Sequence, residues 1–292
     1  MSALIFESLI MISSPLRSLG PVEWAMLLCL SILWGGSYLF MKLAVSGLPP
    51  FSIVFGRVSV AACVLAVILL VSGAGFPKGW KIWVAFVEMG ILNNVIPMSL
   101  IVFSQQTISA GLASILNAMT PLFTIIIAHF VTHDERLTPR KIIGVLFGLS
   151  GVIVLIGPEV VSDFGLSALG EWACLIAALS YACANSFGRR FARLGVRPMQ
   201  TAFGQVFAST LILTPLVLWM DRPWTLPYPE LTPLLSILAL GVFSTAIAYV
   251  IFFRILERSG ATAIALVTLM IPPSAITMGA MVLGERLSIQ DF

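Results

Sequence analysis

Apolar residues gather into nine runs, bounded by charge, glycine and proline: 24–44, 51–72, 82–104, 110–131, 142–157, 168–188, 199–220, 231–253 and 260–283. A run of about 18 apolar residues is long enough for a helix to cross a bilayer. Each is therefore predicted to be a membrane-spanning helix, with the short fifth run extending into its flanks. The first 22 residues are apolar but lack a basic start and a small-residue cleavage site. They are expected to lie at the membrane surface or to be unstructured, rather than to be a cleaved signal.

The runs repeat. Phe55-Gly56-Arg57-Val58 returns as Phe203-Gly204-Gln205-Val206, Glu135-Arg136-Leu137-Thr138 as Glu285-Arg286-Leu287-Ser288, and Ser109-Ala110-Gly111 as Ser259-Gly260-Ala261, with a period near 150. Three matches in one order and at nearly one offset point to a duplicated unit. The division is then an N-terminal segment 1–22, a first five-helix repeat 23–158 and a second repeat 159–292. The symmetry asks for ten spans, of which the sequence given supplies nine, without the last helix of the second repeat.

Charge fixes the expected orientation. Twelve of the 16 basic residues fall on one side: Arg17, Lys78, Lys81, Arg136, Arg140, Lys141, Arg189, Arg190, Arg193, Arg197, Arg254 and Arg258. Lys42, Arg222 and Arg286 fall on the other, and Arg57 lies within a span. The positive-inside rule puts the N-terminus in the cytoplasm. An odd number of spans per repeat turns the second copy upside down, giving an all-α membrane protein of two inverted five-helix repeats.

Composition agrees: the chain is 59% hydrophobic and 10% charged, against about 25% charged in soluble domains. The net charge of +3 carries no sign of nucleic-acid binding. Cys29, Cys63, Cys174 and Cys183 sit singly in apolar runs and are expected to be small buried hydrophobes, not disulfides or metal ligands. No metal-ligand cluster, nucleotide-binding loop or catalytic motif occurs, so no cofactor is expected.

Ionisable groups inside a membrane mark functional sites. Arg57 is expected roughly 9 Å deep from the outer face at 1.5 Å per residue. Glu88 is expected at a similar depth from the inner face, too far for a direct bridge to Arg57. Its bland partner is a basic residue at the base of a cytoplasmic loop. Lys42 either snorkels outward or serves the transport path. Inverted symmetry matches Arg57 to Gln205 and Lys42 to Arg189. Nearer the middle stand Asn93, Asn94, Asn117, Thr120 and the pair Ser244-Thr245, with Trp34, Tyr38, Tyr181 and Tyr249 as aromatic faces. These suit a zwitterionic or amphipathic small molecule, although buried polar groups also serve helix packing. Pro97, Pro121, Pro215 and the pair Pro272-Pro273 should kink their helices. Lys42, Glu88, Pro121, Gln205, Pro272 and Pro273 are the candidates for gating or coupling.

The segment Leu33-Trp34-Gly35-Gly36-Ser37 with Lys42 resembles a known family. So do Pro121 placed 14 residues before Glu135, Pro272 placed 13 before Glu285, and the fifth run with Gly144, Gly148, Gly151 and Gly157. Over residues 20–292 the chain is similar to the ten-helix drug/metabolite transporters of the EamA type. The resemblance implies two five-helix repeats, a central cavity and export of small metabolites, often amino acids, with aromatic amino acid exporters the first comparison. The expected function is secondary transport of a small molecule across a bacterial inner membrane, by alternating access between the repeats. Two alternatives stay open: a membrane scaffold or assembly subunit, and a membrane-embedded enzyme. The sequence leaves the oligomeric state undetermined.

Overall fold

The structure, a computed structural model, describes residues 19–131, 139–156 and 166–285. Helices occupy all nine expected places, and no strand occurs among the described residues. They are α1 (Pro21–Val45), α2 (Pro50–Val71), α3 (Trp80–Ser104), α4 (Ala110–Val131), α5 (Pro139–Ile156), α6 (Leu166–Arg193), α7 (Pro198–Leu216), α8 (Leu231–Gly260) and α9 (Ala263–Leu283). Four of them, α1, α2, α5 and α7, begin on proline. Proline's fixed φ suits the first turn, where its missing N–H has no helical partner to lose.

Seven helices among the described residues are long and apolar enough to cross a membrane; α5 and α6 fall outside that count. α6 spans 28 residues, but Glu171, Ser180, Tyr181 and Asn185 dilute its apolar run and Arg189, Arg190 and Arg193 charge its end. The run 231–253 was drawn too short. Its helix continues to Gly260, where φ of 76° breaks it.

The bundle is apolar on its outer surface as well as in its core, and it encloses a set of polar residues. Leu28, Ile32, Val67, Leu70, Phe103, Phe147, Leu235, Leu238, Phe243 and Leu269 point outward, while Arg57, Asn94, Gln105, Gln205 and Thr245 are buried. Lipid tails accept an apolar exterior, so helix association there rests on close packing and interhelical hydrogen bonds. The same reasoning corrects one expectation: Cys29 and Cys63 are exposed rather than buried, and only Cys174 is fully buried.

Glycines set the crossings. α2 packs on α7 and α8, α7 packs also on α3, and α1 packs on α8 and α9. A Cβ on Gly90 of α3 would meet the Gln205 carbonyl at 3.0 Å and Ser209 Oγ at 2.8 Å. One on Gly241 of α8 would meet the Arg57 carbonyl at 3.0 Å and Val60 Cβ at 2.5 Å. Likewise Gly204 faces the Phe86 ring and Gly56 faces Ile237. The α7–α3 and α2–α8 crossings thus use matching positions of the two sequence repeats.

Both crossings carry the same backbone defect. Directly after Gly90, α3 winds as a π-helix over Ile91–Val95; directly after Gly241, α8 does so over Val242–Ile247. π-turns loosen the backbone ladder and are common at functional sites. The expected proline sites coincide with such irregularities. Pro97 follows the first π-turn, Pro215 precedes another at Val217–Asp221, and Pro121 follows a break between Asn117 and Thr120. Pro272 and Pro273 lie inside a helix without ending it. There Gly35 of α1 closes up, its Cβ position 3.2 Å from the Ile271 carbonyl and 3.0 Å from Ala275 N.

Candidate functional site

The two π-turns bring a belt of polar side chains together within the bundle. Arg57 of α2 is 6% exposed. Its Nε donates to Thr245 Oγ1 at 2.8 Å, Nη2 to the Ser244 carbonyl at 3.4 Å, and Nη1 reaches Met41 Sδ at 3.7 Å. Thr245 in turn donates to the Leu240 carbonyl at 2.9 Å. The second π-turn therefore presents a hydroxyl and a carbonyl to the guanidinium. Ser244 takes part through its backbone, and the hydroxyl comes from its neighbour.

The first π-turn makes the matching contact with amides. Asn93 Nδ2 donates to Gln205 Oε1 at 2.9 Å and to the Tyr249 hydroxyl at 3.1 Å. Tyr249 donates to Asn94 Oδ1 at 3.2 Å, and Asn94 Nδ2 donates to Ser209 Oγ at 2.9 Å. Ser180 of α6 donates to the Leu92 carbonyl within the turn at 2.7 Å. Five helices, α2, α3, α6, α7 and α8, are joined at this level. Such a network rigidifies a core when its groups are satisfied.

Tyr38, Tyr181 and Tyr249 stand close enough to Arg57 to interact electrostatically, and Asn117 of α4 lies within hydrogen-bonding reach of Tyr38. Of the sequence candidates, Tyr38, Arg57, Asn93, Asn94, Asn117, Tyr181, Gln205, Ser244 and Tyr249 thus fall in one neighbourhood. Thr120 is buried and donates to the Asn117 carbonyl at 2.7 Å, which places it in the same stretch of α4. Trp34 is half-buried against Phe252, ring centroids 5.8 Å apart.

Lys42 and Glu88 lie elsewhere. Lys42 Nζ does not snorkel outward; it donates to the carbonyls of Gln105 at 2.6 Å and Ile108 at 2.8 Å, between α3 and α4. Glu285 grips the other side of that corner, accepting from the N–H groups of Ala110 at 2.9 Å and Gly111 at 3.4 Å. A cation on free carbonyls and an anion on the first amides of a helix match the backbone partial charges there. Glu88 pairs with Arg190 at 2.8 Å, its side chain 45% exposed. Arg190 is the loop-base partner foreseen for it, and no bridge joins Glu88 to Arg57. Pro121 is half-buried, Pro272 half-buried and Pro273 exposed.

Three contributors escaped the sequence reading. Ser209 and Ser180 look like ordinary small residues of apolar runs. Glu285 was visible in the repeated Glu-Arg-Leu motif, a signal read only as evidence of duplication. Its counterpart Glu135 lies outside the described residues. Glu171 of α6 is 8% exposed, so a second acid besides Glu88 sits within a helix of the bundle.

Comparison with known proteins converges on one group. The EamA-like transporter family matches residues 23–157 and again 168–292. The chain is 24% identical over 267 residues to the "Uncharacterized transporter YoaV" of Bacillus subtilis, covering 90% of this chain and 89% of that one. It is 25% identical over 272 residues to a "Probable amino-acid metabolite efflux pump" of Escherichia coli, covering 89% and 87%. It is 26% identical over 276 residues to the "Uncharacterized inner membrane transporter YedA" of Escherichia coli, covering 93% and 86%. A crystal structure at 20% identity superposes with a TM-score of 0.65, covering 92% of this chain and 91% of that one, which establishes likeness of fold. With both halves of the sequence matched by one family and apolar helices built around a polar belt, this chain is a multi-pass membrane protein of the EamA-like transporter family.

Proposed function

We propose that the chain exports small metabolites, with amino acids the foremost class, across a bacterial inner membrane by alternating access. The observation that carries this reading is the belt at the two π-turns. Repeat-related positions on α2 and α8, and on α7 and α3, meet there around groups able to bind a zwitterion. In the proposal, residues 23–158 and 159–292 are repeats inverted about an axis in the membrane plane, with the N-terminus cytoplasmic. The helices have two near-equivalent packings, facing opposite sides of the membrane. Trp34, Tyr38, Arg57, Asn93, Asn94, Asn117, Thr120, Tyr181, Ser244 and Tyr249 line the path. Lys42, Gln205, Pro121, Pro272 and Pro273 belong to the moving parts, and Glu88 is a coupling candidate at one end. The printed description of the Escherichia coli relative as an amino-acid metabolite efflux pump supports the substrate class.

Counterflow in proteoliposomes tests the proposal. Vesicles preloaded with unlabelled amino acid should accumulate the labelled one only when the protein is present. Arg57→Ala should abolish that accumulation while the protein still elutes as a single species. Absence of counterflow for every amino acid tried would refute the reading.

A further inference from the structure

We infer that the cargo is held by a carboxylate, with Arg57 as its anchor, and that the site rejects the same molecule once its carboxylate becomes a carboxamide. This rests on the proposed transport site and specifies its chemistry. Arg57 is a buried guanidinium with no carboxylate within ion-pair distance among the described residues. Its partners are a threonine hydroxyl, a peptide carbonyl and a thioether. Arginine carries five N–H donors in a planar fork. Nε is spent on Thr245, whereas Nη1 has only a sulfur and Nη2 only a long contact. A buried charge is normally paired, and two weakly engaged donors on one fork edge suit a bidentate carboxylate.

Two buried acceptors of the same belt are also unused. Ser244 Oγ and Asn117 Oδ1 make no hydrogen bond within the protein, and both residues are at least nine-tenths buried. Ser244 adjoins Arg57 through its own carbonyl, and Asn117 adjoins Tyr38. An unfilled buried acceptor is unfavourable, and an ammonium group supplies up to three donors. The unspent inventory is therefore complementary to an amino acid: free donors at Arg57 for its carboxylate and free acceptors at Asn117 and Ser244 for its ammonium. The repeat-related position on α7 is not equivalent, because Gln205 is a neutral amide that offers no charge to a carboxylate. The charged anchor thus lies on the α2–α8 side alone of the two repeat-related crossings.

Binding to the purified, detergent-solubilised full chain tests this independently of transport. Each proteinogenic amino acid is compared with its own carboxamide, by ligand-induced thermal stabilisation, on wild type and on Arg57→Gln. Glutamine is the residue that the other repeat carries at this place. At least one amino acid should stabilise the wild type, with its carboxamide roughly 10- to 100-fold weaker, the range expected for charged hydrogen bonds. Arg57→Gln should erase that preference while the unliganded protein remains monodisperse. Equal binding of acid and amide to the wild type, or no stabilisation by any acid, overturns the inference. Acid-selective binding without counterflow would support the carboxylate anchor and reject the transporter reading.

Discussion

Gly241→Ala tests whether the α2–α8 crossing seats Arg57. The new Cβ would stand 2.5 Å from Val60 Cβ and 3.0 Å from the Arg57 carbonyl. Carbon atoms settle at about 3.5–4.0 Å, so relief requires the helices to part by about 1 Å. The backbone carbonyl cannot rotate aside, and the Val60 side chain has little freedom at χ1. Parting by that amount stretches the 2.8 Å bond from Arg57 to Thr245 beyond hydrogen-bond length. Overpacking contributes a loss of about 1–3 kcal/mol and the charged hydrogen bond about 1.5–3 kcal/mol. Better helix propensity returns up to about 1 kcal/mol, leaving a net destabilisation of about 1.5–6 kcal/mol. Heating detergent-solubilised protein and following the monodisperse fraction by size-exclusion chromatography measures it. Gly144→Ala is the control, since nothing lies within 4 Å of a Cβ there, and it should be neutral or slightly stabilising. If Gly241→Ala melts like Gly144→Ala, the crossing does not depend on close approach and the reasoning fails.

Other expectations concern separate contacts. Asn93→Ala leaves Gln205 Oε1 and the Tyr249 hydroxyl without their donor and should destabilise by about 1–3 kcal/mol; an unchanged melting temperature would mean that water replaces the amide freely. Glu285→Ala removes the acceptor for the Ala110 and Gly111 N–H groups, so hydrogen–deuterium exchange should rise at the start of α4 and not at the start of α2. Glu88→Gln breaks an ion pair that is half exposed on both sides, and its stability effect should stay below about 1 kcal/mol and shrink with salt. A larger, salt-insensitive loss would place that pair in a drier setting than the structure gives it.

Much of the architecture was legible because a bilayer imposes a strong rule: a spanning helix must be apolar along its length. That rule found all nine helices, and the prolines marked several of their irregular points. It found α6 as well, although Glu171 and Ser180 lower the hydropathy of that run, and both of those residues are buried. The site was only half legible. Arg57, Asn93 and Tyr249 stood out as costly residues in apolar runs, but Ser209 and Ser180 did not, since a hydroxyl in a helix can satisfy its own backbone.

The sequence by itself determined that the chain is a membrane bundle, where its helices run, that its unit is duplicated and which polar residues have no place in lipid. Only the tertiary structure decided which of them meet. A helix such as α2 is apolar nearly all round, so its sequence leaves open the rotation about its axis. That rotation is set by glycines that let one backbone approach another, Gly90 on Gln205 and Gly241 on Arg57. The π-turns that follow turn Asn93 toward Gln205 and Thr245 toward Arg57. The two partners in the Arg57 bond are 188 residues apart in the chain, and only packing brings them together.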